Sequence, residues 1–188
     1  MKPRQIRIIG GRWRGSRLPV IDAEGLRPTP DRIRETLFNW LSSDCRGASV
    51  LDCFAGSGAL GFEALSRGAE RLLALEKNPT AAKNLRLLAQ RLDCDAAEVM
   101  VGDALQTIAG LERSFDMLFI DPPYAQAHLR SQVIARLEER QCLREGAKIY
   151  FEWPKTESFE LPSLNLHLLK QKSAGQVEYA IAEWRLSR

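Results

Sequence analysis

Cysteine is sparse and scattered in this sequence. The 188 residues hold four, Cys45, Cys53, Cys94 and Cys142, and no two form a C-x-x-C pair. That excludes a small disulfide framework and offers no zinc-site spacing. Reduced thiols in a cytoplasmic setting are expected. His128 and His167 are isolated, so no metal is expected either. No apolar run approaches the roughly 18 residues of a membrane span. The N-terminus is charged throughout, so neither a signal peptide nor an anchor is expected, and a membrane is not a partner. Internal repeats and low-complexity linkers are missing. With 45% apolar residues, the chain is expected to form one globular unit with a sizeable core.

Acid is missing from one region. Residues 1–20 contain no Asp or Glu. Residues 1–40 carry nine basic side chains (Lys2, Arg4, Arg7, Arg12, Arg14, Arg17, Arg27, Arg32 and Arg34) against Asp22, Glu24, Asp31 and Glu35. The other 148 residues hold 18 basic and 20 acidic groups, so the net charge of +3 conceals a basic arm on a nearly neutral body. Such an arm suits a polyanion, because each cation near a phosphate releases condensed counterion; the alternative is a solvated leader. The nucleic-acid candidates are Arg4, Arg7, Arg12, Arg14 and Arg17, with Trp13 as a stacking group. Arg32 and Arg34 would join them, or else pair with Glu35 or face solvent.

Residues 1–28 read as short extended pieces broken by "GG" and "RG", a basic N-terminal extension. "TPDRIRETLFNWLSS" then has a helix-start signature, with Thr29 as N-cap, Pro30 at the first helical position and Asp31 in the first turn. Ile33, Leu37, Trp40 and Leu41 fall on one face of that helix. From residue 48 strands and helices alternate: "ASVLDCF", "GALGFEALSRG", "RLLALE", "NPTAAKNLRLLAQRL", "AEVMV", a short helix from Ala104, "FDMLFI", "AHLRSQVIARLEERQ" and "AKIYFEW". This order implies a parallel sheet covered on both faces. "LNLHLLKQK" and "VEYAIAEWR", joined by "SAGQ", read as a closing hairpin. The expected fold class is therefore α/β, a doubly wound, mostly parallel Rossmann-like sheet ending in an antiparallel hairpin.

"LDCFAGSGALGFEAL" places Gly56, Gly58 and Gly61 in G-x-G-x-x-G spacing between a strand and its helix. Glycines there let backbone approach a ligand, and the helix N-terminus offers free N–H groups. Glu76, twenty residues after Gly56, ends the second strand, where an acid can hold both ribose hydroxyls. A nicotinamide cofactor and S-adenosyl-L-methionine both carry that ribose. Asp52, just ahead of the loop, suits a cationic amino-acid moiety better than a pyrophosphate. Asp103, after the third strand, is placed for an adenine amine, as a helix N-cap, or as both.

"LFIDPPYAQ" ends the fourth strand at Asp121. Pro122 holds Asp121 extended, and two residues without N–H groups cannot continue a ladder or wind straight into a helix. The Pro122 carbonyl and the Asp121 carboxylate would then converge on an –NH₂ group, and Tyr124 would offer a face for a flat base. This is the pattern of an amine-methylation site.

The sequence resembles the class I S-adenosylmethionine-dependent methyltransferases, and "DPPY" resembles the motif of their amino-methylating branch. Together "RIIGGRWRGSRLPV", "GLRPTPDRIRETLFNWL", "LDCFAGSGALGFEALSRGA", "LEKNP" and "DPPY" resemble the bacterial RsmD-type enzymes, which methylate N2 of a guanine in 16S ribosomal RNA. The resemblance implies residues 29–188 as the methyltransferase domain, S-adenosyl-L-methionine as cofactor, and 16S ribosomal RNA or the small subunit as partner of a monomer. It further implies Asp52, Phe54, Gly56, Gly58 and Thr29 at the methionine end, Glu76 at the ribose and Asp103 at the adenine. Asp121, Pro122 and Tyr124 would grip the guanine amine. Ser16 departs from the family, which would place another arginine there. Guanine-N2 enzymes often carry Asn where Asp121 stands, so the base is implied by the flanking stretches rather than by "DPPY". The competing readings are an adenine-N6 methyltransferase, a nicotinamide oxidoreductase, and a non-catalytic RNA-binding assembly factor.

Overall fold

Two periodicities organise the chain, and a computed structural model shows how they pack; it describes residues 5–19 and 29–186. The parallel strands are β3 (Ser49–Asp52), β4 (Arg71–Glu76), β5 (Ala97–Val101), β6 (Phe115–Ile120) and β7 (Leu143–Pro154). Helices α2 (Ala59–Ser66), α3 (Pro79–Arg91), α4 (Ala104–Ala109) and α5 (Leu129–Glu139) connect them. The hairpin β8 (Leu166–Ala174) and β9 (Val177–Trp184) completes a seven-stranded sheet in the order β5-β4-β3-β6-β7-β9-β8. Strands β3 to β7 pair in parallel, and β9 pairs antiparallel with both β7 and β8.

Alternation along each inner strand sends side chains to two cores. Val50, Leu72, Ala74, Met117 and Phe119 face α2, α3 and the helix α1 (Asp31–Trp40). Leu51, Leu73, Leu75, Leu118 and Ile120 face α4 and α5. Strands buried on both sides need continuous apolar runs, and that is what made them legible.

The first helix begins one residue later than its sequence suggests. Pro30, not Thr29, is the N-cap, and no side-chain cap bond forms. The Pro30 carbonyl already accepts the N–H groups of Ile33 and Arg34 at 2.9 and 3.1 Å. Asn78, by contrast, caps α3 as expected, accepting from Thr80 and Ala81, with Pro79 first in the helix.

The described part of the N-terminal segment is a small hairpin, β1 (Gln5–Arg7) and β2 (Arg17–Pro19). Ile6, Ile8 and Leu18 are buried in the same core as α1, α2 and α3. Buried Glu63 of α2 fixes it in place, accepting the N–H groups of Ile9 at 2.7 Å and Gly10 at 2.9 Å.

Candidate active site

The strand order reverses between β3 and β6, since the chain goes outward through β4 and β5 before returning to β6. Ligands of open α/β sheets bind beyond the strand carboxyl ends at such a point. Asp103, Glu76, Asp52 and Asp121 stand at the carboxyl ends of β5, β4, β3 and β6, in that spatial order.

The glycine loop is built for close approach. Gly56 and Gly58 have φ of 52° and 77°, in the left-handed region that glycine adopts without a Cβ penalty. A Cβ on Gly58 would also lie 2.6 Å from Leu85 and 2.8 Å from the Phe62 ring. Gly61 serves packing: its Cβ would meet both Leu72 methyls at 2.8 Å, and its N–H donates to Asp52 Oδ2 at 3.2 Å. Phe54, half-buried, packs on the second core.

Glu76 ties this loop to the next strand. Its Oε2 accepts the Gly56 N–H and its Oε1 the Asn78 N–H, both at 2.7 Å. Each oxygen keeps a second lone pair for a hydroxyl. Asp103 caps α4 through Oδ1, accepting from Leu105 at 3.0 Å and Gln106 at 3.4 Å. Its Oδ2 lies 3.6 Å from the exposed Lys77 ammonium. Asp52 is 4% exposed. Burial pushes its carboxyl up to about 7, against the N–H groups of Gly61 and Phe54 and with the help of the Glu76 charge. A carboxylate held this way is stabilised by a neighbouring cation. Thr29 is buried ahead of α1.

On the β6 side, Pro122 is buried and the chain turns through a 3-10 segment, Tyr124–Gln126, closed by Gln126 N–H to the Pro123 carbonyl at 2.7 Å. The Asp121 carboxyl is held well above the usual carboxylate range. Burial is the main cause, the charges of Glu152 and Asp52 add to it, and Arg130 opposes them. The Tyr124 ring is 39% exposed, and its hydroxyl donates to Glu152 Oε1 at 3.3 Å. Glu152 was not among the sequence candidates. Its signal was an acid inside the otherwise apolar "IYFEW". Buried Arg130 of α5 holds the Glu152 carbonyl at 3.0 Å and pairs with Glu157.

The family model described as Conserved hypothetical protein 95 matches residues 6–183. The chain belongs to this family. A relative from Haemophilus influenzae, named Ribosomal RNA small subunit methyltransferase D, is 44% identical over 94% of this chain and 93% of its own length. Its namesake from Escherichia coli K12 is 42% identical, covering 94% and 89%. The solved structure of the Escherichia coli protein yhhF is 38% identical with a TM-score of 0.89, covering 98% of this chain and all of that one. The RsmD-type resemblance seen in the sequence is thereby borne out, and so is the mostly parallel sheet with its antiparallel end.

In this family member the basic segment forms a surface of its own. Arg7, Arg12, Arg14, Arg17 and Arg32 are exposed, and Trp13 is half-buried with the Arg12 guanidinium 5.5 Å from its ring centre. Arg4 lies outside the described residues. Arg34 requires a correction, because its side chain is fully buried. It donates to Asp31 Oδ1 at 2.6 Å and the Arg7 carbonyl at 2.9 Å, and stands 3.7 Å from Glu63. It holds the hairpin to α1 and α2 and presents no charge to a partner. The hairpin tip packs where α2 ends, the Arg12 N–H donating to the Ser66 carbonyl at 2.7 Å, and β2 packs where α3 ends, Arg91 donating to the Arg17 carbonyl. Among the described residues no group of His, Cys, Asp or Glu could hold a metal ion, and no helix is long and apolar enough to cross a membrane.

Proposed function

We propose that the chain transfers a methyl group from S-adenosyl-L-methionine to the exocyclic N2 amine of a guanine in 16S ribosomal RNA, within an assembled or partly assembled small subunit. The observation that carries this reading is the row of four carboxylates across adjacent strand ends, finishing at Asp121 beside Pro122 and Tyr124. The donor set fits the cofactor. Asp103 would take the adenine amine and Glu76 the two ribose hydroxyls. Asp52, with Phe54, Gly56, Gly58 and Thr29, would surround the methionine end. When bound, S-adenosyl-L-methionine supplies an electrophilic methyl on a cationic sulfur.

The chain's own residues then act on the amine. Its nitrogen lone pair is delocalised into the ring, which makes it a poor nucleophile. Asp121 and the Pro122 carbonyl accept its two hydrogens and turn the lone pair toward the methyl. Tyr124 stacks on the base, worth roughly 1–3 kcal/mol, against the few kcal/mol it costs to unstack it. Alignment of this kind supplies about 7–11 kcal/mol of the barrier. The exposed Arg7, Arg12, Arg14, Arg17 and Arg32, with Arg4, hold RNA backbone, and Trp13 offers a stacking face. A cytoplasmic monomer completes the reading. The aspartate of "DPPY" favours one second reading, methylation of adenine N6.

The test offers radiolabelled S-adenosyl-L-methionine with unmodified small subunits, naked 16S RNA and DNA, followed by digestion to nucleosides. Label in N2-methylguanosine, from subunits above all, is the expected result. N6-methyladenine overturns the base. No transfer from a protein that still binds cofactor overturns the activity.

A further inference from the structure

We propose that Glu152 is a positioning residue of this site, which anchors the Tyr124 ring through its hydroxyl and stands as the second carboxylate beside Asp121. The proposal rests on the reading above, in which Asp121 grips an amine. Strands β6 and β7 are parallel with Ile120 opposite Phe151, so Asp121, just past the end of β6, comes beside Glu152, where β7 runs on and pairs with Tyr179 of β9. Glu152 is buried within the apolar run near the end of β7. Burying an acid there is costly unless its oxygens are partnered. Both are: Oε2 accepts the Tyr150 hydroxyl at 2.8 Å and Oε1 the Tyr124 hydroxyl at 3.3 Å. Arg130 fixes the backbone of the same residue from α5. The carboxylate is thereby held from both oxygens, and it passes that orientation to the aromatic ring of "DPPY".

The charged and titratable groups around the pair come from every side. Asp52 stands on β3, with Glu76 behind it on β4. Tyr124 follows β6, Tyr150 is on β7 and Tyr179 on β9. Arg130 approaches from α5 carrying its partner Glu157. Two carboxylates in such a setting resist ionising together. The Glu152 charge adds to burial in raising the Asp121 carboxyl. In methyl transfer the N–C bond forms as the C–S bond breaks, with the C–S electron pair staying on sulfur. One amine N–H bond breaks with its pair staying on nitrogen, and the proton goes to the Asp121 carboxylate. Glu152 raises the proton affinity of that acceptor.

The experiment measures methyl transfer to small subunits against pH for the wild type, Glu152→Gln and Tyr124→Phe, with cofactor binding by calorimetry for each. Glu152→Gln keeps an oxygen and its place beside the tyrosines but loses the charge. Asp121 then ionises more readily, and the acid limb of kcat is expected to move to lower pH by about one unit. Tyr124→Phe is expected to raise KM for RNA about tenfold with the acid limb in place, because the ring keeps its stacking face but loses its tether. A purely structural Glu152 would leave the limb where it was. Superimposable profiles for Glu152→Gln and wild type, or an unchanged KM in Tyr124→Phe, overturn the proposal. So does loss of cofactor binding in Glu152→Gln, which would give Glu152 to the fold instead. Wild-type protein that methylates no RNA overturns the proposed activity; wild-type transfer with unresponsive variants overturns this inference alone.

Discussion

At the residue scale the site is a set of acids in a place where acids are hard to keep charged. Asp121 is expected to be needed for turnover and dispensable for cofactor. Asp121→Ala should cut kcat by about 10²–10⁴, the range a positioned proton acceptor contributes, while cofactor affinity by calorimetry stays within about threefold. Full activity in that variant would remove Asp121 from the chemistry. Asp52 makes a second prediction, about pH. Its carboxyl lies at about 7 when folded against an ordinary 3.8. A raised folded value means the native state holds a proton that the unfolded chain has lost. The stability this gives is full below about 3.8 and is lost as pH rises to about 7. Cofactor binding runs the other way, because a cationic ligand needs the ionised form. Affinity for S-adenosyl-L-methionine should therefore weaken below pH 7, by up to about tenfold per unit, with a proton released on binding. Calorimetry in buffers of different ionisation heat reads that proton directly. Asp52→Asn should abolish the release, and a release that persists would assign it to another group.

At the element scale Glu63 is the joint between the hairpin and the sheet. It is fully buried, and it accepts from Ile9, Gly10 and the Arg67 guanidinium, with Arg34 at 3.7 Å. Glu63→Ala would strand the half-buried N–H groups of Ile9 and Gly10 and leave buried Arg34 with Asp31 as its one carboxylate beside the Arg7 carbonyl. Breaking a buried pair costs about 3–5 kcal/mol, which for a chain of this size lowers Tm by roughly 10 °C. Thermal denaturation within 1 °C of the wild type would show the hairpin is held by its apolar face instead. This joint also marks where the sequence stopped being legible. Asn78–Pro79, the two left-handed glycines and the apolar strands are local signals, and each lies where its residues put it. Glu63 and Arg34 look like surface charges in the sequence, and Glu152 shows there only as an acid within an apolar run. What places them inside is a partner 54, 27 or 28 residues away, which no periodicity records. Thr29 failed as a cap for a smaller reason, since the proline after it took the position.

At the scale of the whole molecule, the tip of the basic hairpin and the chemistry sit at opposite ends of α2. The hairpin tip rests where α2 finishes and β2 where α3 finishes, whereas Glu76 and the glycine loop lie where these helices start. The 13 residues of α3 set Arg17 about 20 Å from Glu76, and the eight of α2 set the tip about 12 Å from the glycine loop. Arg12, Trp13 and Arg14 are therefore placed to meet the RNA at some distance from a base held at Tyr124. That separation has a kinetic signature. Replacing Arg12, Arg14 and Arg17 together by Gln removes three cations without touching the strand ends. KM for small subunits should rise and kcat should stay within about twofold, as for loss of binding that ground and transition states share. The dependence of log K on log salt should flatten by about 2, three phosphates at roughly 0.7 each. A short oligonucleotide carrying only the target base should bind the variant and the wild type alike, because it cannot reach the tip. If the variant loses kcat instead, or its salt slope is unchanged, the hairpin is not the surface that carries the RNA, and α1 with Arg32 becomes the face to test.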